Sequence, residues 1–178
     1  MKTKIITVTM TILMSITMIA QQKQEAPQSK AETFSQKSGT LIQKEFERIG
    51  AISKCQFSVV TYTDLISQEK EKAVRIEFEY VGKYNTDTKI ALLDADELDG
   101  FIKSLKLIIE TISKTTPTNY TEVAFKSRGG FEAGAFYEKE KWFYYMKLEK
   151  YDSDSYVFLQ EADIKAMLAT LELCKTKL

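Results

Sequence analysis

Two segments carrying the same apolar stripe, 66 residues apart, constrain this chain more than any other feature of its sequence. In the first, Leu98, Phe101, Ile102, Leu105, Ile108, Ile109 and Ile112 recur at intervals of three and four. That spacing lines one face of an α-helix and buries it against a core. In the second, Ile164, Met167, Leu168, Leu171 and Cys174 repeat the stripe. Setting Leu93 on Leu159 aligns the two without a gap, so that Leu98 meets Ile164, Phe101 meets Met167, Ile102 meets Leu168 and Leu105 meets Leu171. The first helix begins at Asp94, whose side chain can cap free backbone N–H groups, and Glu97 three residues later completes a capping-box pattern. In the second, Glu161 and Asp163 sit near the positive helix start, with Lys175 and Lys177 near its end.

A short apolar strand precedes each helix, and the same offset reaches further back. It carries Ile76, Phe78 and Tyr80 of the segment 74–80 onto Trp142, Tyr144 and Met146 of the segment 142–148. Both segments alternate at period two, as half-buried strands do. Cys55, Phe57, Val59 and Thr61 alternate with Gln56, Ser58, Val60 and Tyr62 in another strand. Thr121–Lys126 and Phe131–Glu138 form a hairpin through Ser127-Arg128-Gly129-Gly130, where paired glycines admit the positive φ angles of a tight turn. Residues 41–49 read both ways: Ile42, Phe46 and Ile49 have helical spacing, yet the repeat asks for a strand, and the strand is the expectation adopted. The result is an α+β fold, a tandem ββββα repeat of antiparallel sheets with two helices packed on one face. It occupies a single domain over residues 40–178, with halves at about 40–115 and 116–178.

This order of elements, across Thr40 to Lys177, resembles that of the Whirly and PUR-repeat proteins, which bind single-stranded nucleic acid on curved sheets. The resemblance implies a ligand-bearing face opposite the helices. In layout the chain is also similar to small exported proteins of Gram-negative bacteria, a likeness that begins at Met1. Lys2 and Lys4 precede an uncharged run from Ile5 to Ala20, the pattern of a secretory signal peptide over residues 1–20 with cleavage near Ala20. Thr7, Thr9, Thr11, Ser15 and Thr17 interrupt the run, which falls short of the ~20 apolar residues that span a bilayer. No Cys follows to accept a lipid, so the expected product is periplasmic or secreted, without a transmembrane segment after signal removal. Residues 21–39 are polar, with Phe34 as their one large apolar side chain, and read as a flexible linker.

Charge narrows the partners. The chain has 25 basic and 25 acidic side chains, and loss of Lys2 and Lys4 with the leader leaves 23 against 25. Such a balance does not draw phosphate backbones or anionic lipid. The chain has no histidine, which removes His-based triads and imidazole bases. Carboxylate and Ser–Lys mechanisms remain as chemistry. Residues 94–100 hold three Asp and one Glu, but Leu98 and Asp99 stand where a calcium loop wants a ligand and a glycine, and helix capping accounts for them. Asp152-Ser153-Asp154-Ser155 reads as an ordinary turn. No metal or cofactor is expected.

The candidate binding residues come from strand alternation. If Trp142, Tyr144, Met146 and Leu148 face the helix, then Phe143, Tyr145, Lys147 and Glu149 face away, and Phe136 shares that outer face with Glu132, Gly134 and Glu138. The first half presents Arg75, Glu77 and Glu79 instead. Phe136, Phe143, Tyr145 and Lys147 form either a recognition patch or a set of cross-strand packing pairs. Arg128, beside the hairpin glycines, is a turn charge or an anion clamp. Cys55 and Cys174 both fall on apolar faces, and two readings fit them: a disulfide closing the domain, or two buried thiols. The functional expectation is a non-catalytic binding or scaffolding module of the cell envelope, with another envelope protein or a glycan as partner. The alternatives are a single-stranded nucleic-acid binder and an enzyme that works without histidine.

Overall fold

The structure is a computed structural model and describes residues 28–178; the leader read at residues 1–20 lies outside the described residues. Two four-stranded antiparallel sheets, each followed by a helix, make an α+β fold. The first sheet has the order β1 (Ile42–Ile52), β2 (Cys55–Asp64), β3 (Lys70–Val81), β4 (Thr86–Asp94), and the second β5 (Thr121–Lys126), β6 (Glu132–Glu138), β7 (Lys141–Lys147), β8 (Tyr156–Leu159). A short helix α1 (Lys30–Ser35) comes first, α2 (Ala95–Glu110) follows β4, and α3 (Glu161–Lys175) follows β8. No helix among the described residues is long and apolar enough to cross a membrane.

One apolar core joins the halves. Phe57, Ile76, Leu93 and Leu105 from the first half lie in the same buried cluster as Phe131, Met146, Met167 and Leu171 from the second. Each of the two long helices packs on both sheets: α2 touches β3 and β4 as well as β5 and β6, and α3 touches β8 as well as β1 and β2. Phe101 of α2 stacks on Phe125 at 4.8 Å and meets Phe131 edge-on at 5.3 Å, so the first helix is anchored in the second sheet. The helices are tied to each other by Lys175–Asp99 at 2.5 Å and Lys106–Glu172 at 2.7 Å.

Residues 42–49 are strand, as expected for this segment. Ile42 pairs with Asp64 and Phe46 with Val60, and a four-residue spacing keeps both on one face of a strand as it would on a helix. A bulge between Arg48 and Gly50 then shifts the register at Ile49.

Two expectations need correction. Residues 21–39 are not a linker throughout: α1 lies within them, and its Ser29 cap and Ala31 are almost wholly buried. The repeat is also not gapless. Val74 faces Leu93, nineteen positions on, whereas Tyr144 faces Leu159, fifteen positions on. Judged by partners, Ile76 therefore corresponds to Met146 and Arg75 to Tyr145. The second hairpin is four residues shorter, and an even slip leaves every side chain on its original face.

Candidate outer-face binding surface

The inner faces of both sheets meet the helices; the outer faces meet different things. On the first sheet, α1 lies over Val60, Tyr62 and Ala73, with Ala31 buried in that cluster and Phe34 and Leu92 packed at its margin. Phe46, nearer the β1 edge, stays half exposed beneath the Arg75 guanidinium.

What holds α1 there is Asp94. Its carboxylate is fully buried and accepts from the backbone N–H groups of Lys30, at 2.8 Å, and Ala31, at 3.1 Å, the first turn of α1. Arg128 donates to the same carboxylate through Nη1, while its Nη2 lies 3.1 Å from Asp96 and its backbone N–H donates to Glu97 at 2.6 Å. Asp94 also heads the capping box of α2, as its sequence position suggests, with its N–H donating to Glu97 at 3.3 Å. One buried carboxylate thus joins α1, α2 and the second-half hairpin. Arg128 is spent on these internal pairs and does not reach the aromatic face, so the structure does not group it with the other candidate residues.

On the second sheet, register sets the outer face row by row. Glu122, Phe136 and Phe143 form one row; Ala124, Gly134, Tyr145 and Phe158 the next; Lys126, Glu132, Lys147 and Tyr156 a third. Phe136 and Phe143 stack at 5.1 Å with an interplanar angle of 12°, and Tyr156 and Phe158 stack at 6.2 Å with the same angle. Tyr145 connects the pairs, 6.3 Å from Phe136 and 5.7 Å from Tyr156, and Tyr120 extends the series 6.3 Å beyond Phe136. Six rings thus run across one sheet face.

Their exposure differs. Phe158 is 65% exposed, Tyr120 60% and Tyr156 37%, Phe136 and Phe143 are half-buried, and Tyr145 is buried. Tyr145 acts as the floor of the patch. It lies across from Gly134, where a Cβ would run into the Val123 carbonyl and the Ala124 Cα, so the strand admits no side chain. Its hydroxyl donates to Glu132 Oε1 at 2.5 Å, and burial, with Glu132 beside it, raises the phenol pKa.

The charges around the rings are matched. Glu122, Glu132 and Glu138 share the face with Lys126, Lys141 and Lys147. Lys126 pairs with Glu132 at 3.1 Å, Lys141 lies 4.6 Å over Phe143, and Lys147 lies 5.0 Å over Tyr156 while donating to the Lys150 carbonyl at 2.8 Å. At the Tyr120 end the face opens into a groove of about 1060 Å³ between residues 113–120, the β6–β7 turn and Gln160. Thr115, Thr116, Thr118 and Asn119 line it, and Trp142, whose indole N–H donates to the Thr115 carbonyl at 3.0 Å, closes one side.

The structure therefore groups Phe136, Phe143, Tyr145 and Lys147, and adds Tyr120, Glu122, Tyr156 and Phe158. For the last two the signal was present: Val157 and Leu159 alternate with them as core residues, so Tyr156 and Phe158 had to face outward. Cys55 and Cys174 are free thiols within the core. Burial pushes Cys55 up to about 12 and Cys174 up to about 11, which leaves both as thiols rather than nucleophilic thiolates at neutral pH. No protein-family model and no curated protein matches the sequence, so the reading of this surface rests on its geometry.

Proposed function

We propose that this protein is a non-catalytic binding module and that the aromatic outer face of its second sheet meets the partner. One observation carries the reading: three rings that are 37–65% exposed, Tyr156 stacked on Phe158 and Tyr120 tilted toward Phe136, run together with three more across one face of a four-stranded sheet. Apolar side chains gathered into one patch on a soluble domain mark interaction surfaces, whereas single exposed ones do not. Flat rings held by their neighbours lose little conformational freedom when a partner arrives. The leader-like start of the chain supports the cell envelope or its exterior as the place of action.

Replacing Tyr156 and Phe158 together by Ser tests the reading. Retention of the full chain on isolated envelope material is expected to fall about tenfold, a loss of about 1.4 kcal/mol, with the melting temperature shifted by less than about 4 °C. Retention equal to the parent protein contradicts the reading.

A second reading is favoured by the same rings. Aromatic side chains on a four-stranded sheet are also a stacking platform for single-stranded nucleic acid. That mode needs an excess of cations along the strand, and its affinity drops steeply with salt.

A further inference from the structure

We infer that the occupant of the aromatic face is a neutral saccharide chain, which lies on the stacked rings and continues into the groove beside Tyr120. This rests on the binding-module reading and names its ligand class. Charge is the first argument. Three carboxylates and three ammonium groups share the face, and the lysines already hold ring faces or a carboxylate. The face carries no net positive charge to draw a polyanion, and two of its rings, Phe143 and Tyr156, already hold an ammonium group. A neutral ligand with many hydroxyls can donate to Glu122 and Glu132 and accept from the lysines without displacing any pair.

Size is the second argument. Strands about 4.8 Å apart and same-face residues about 7 Å apart give the three rows a footprint of roughly 200–300 Å². A stable protein partner needs about 800 Å² on each side. A short chain of flat rings matches the smaller area. The faces of sugar rings present C–H groups, and these meet the negative face of Phe or Tyr favourably.

The groove supplies the third argument, independent of the rings. Thr115, Thr116, Thr118, Asn119 and Gln160 offer hydroxyl and amide groups, beside three lysines and three glutamates, in a volume of about 1060 Å³, just above the roughly 300–1,000 Å³ typical of ligand sites. Tyr120 and Phe143 belong both to the groove and to the ring series. Uncharged polar groups that both donate and accept are suited to sugar hydroxyls.

The test titrates the full chain with cellohexaose, maltohexaose and chitohexaose, following tyrosine fluorescence, with a deoxythymidine oligonucleotide in parallel. At least one hexasaccharide is expected to bind saturably, with little change between low and high salt. The Tyr156→Ser/Phe158→Ser variant, and separately Tyr120→Ser, should each weaken it about tenfold with the melting temperature shifted by less than about 4 °C. Salt-sensitive binding of the oligonucleotide alone overturns the inference in favour of nucleic acid. If no hexasaccharide binds while envelope retention still depends on Tyr156 and Phe158, the ligand class is wrong and the surface stands; if retention is also indifferent to them, both fall.

Discussion

The two outer faces are built on corresponding positions and put to different ends. Where the first sheet has Val60, Ala73 and Leu92, the second has Phe136, Phe143 and Phe158, matched by their partners across the strands. Small and aliphatic side chains admit α1 and are sealed by it; the aromatic set lies open among the described residues. Among the described residues, one four-stranded sheet thus has its outer face closed by its own chain and the other has it open. The difference is local, since the inner faces of both sheets feed a single core.

The comparison can be broken by exchanging its parts. Gly134→Ser imports the residue of the first sheet, Ser58, at the matching place. A Cβ there overlaps the β5 backbone, so a loss of about 3 kcal/mol or more is expected in urea unfolding, at the upper end for overpacking. Asp94→Ala removes the buried acceptor of two backbone N–H groups and one guanidinium. It should cost about 2–3 kcal/mol, the range for hydrogen bonds to a charged group, and open residues 28–36 to proteolysis. Ala73→Phe imports the second-sheet residue under α1, and about 2 kcal/mol of overpacking is expected, with the same proteolytic signature.

Acid sharpens the same contrast. Asp96 is held down to about 2 by hydrogen bonds from Lys30 and Arg128, and Asp64 to about 2 by Thr40 and the backbone N–H groups after it. Both folded values lie below the unfolded value of 3.8. Their contribution is therefore whole above about pH 4 and drains away as pH falls toward 2. Since Lys30 belongs to α1, a pH titration from 5 to 2 should loosen the covered face, read as rising accessibility of Tyr62. The smallest effect is the most diagnostic. Phe158→Ser should change stability by no more than about 0.5 kcal/mol, because the ring is mostly in solvent.

Most of this architecture was legible in the sequence, and the failures share a cause. The helical stripes, the β5–β6 hairpin and the inward set Tyr144, Met146 and Leu148 follow from periodicity, which depends only on near neighbours. Helix α1 did not register because six residues with only Ala31 and Phe34 as apolar anchors show no period. Its start is fixed by Asp94, more than sixty residues away. The four-residue slip in the repeat was invisible because alternation is blind to even shifts. Within the candidate surface, alternation placed Phe136, Phe143 and Tyr145 on one face. Joining Tyr156 and Phe158 to them required the β7–β8 register. Arg128 could be read as a turn residue, but not that a buried carboxylate on another element would claim it.

The most direct measurement is hydroxyl-radical footprinting of the full chain, comparing Phe158 and Tyr120 with Tyr62 and Phe57 by mass spectrometry. Fast labelling of Phe158 and Tyr120, with Tyr62 as protected as the core ring Phe57, is the predicted result. Protection of Phe158 would mean that the second face is covered after all, and labelling of Tyr62 at the rate of Tyr120 would mean that α1 does not seal the first; either contradicts the division of the two faces.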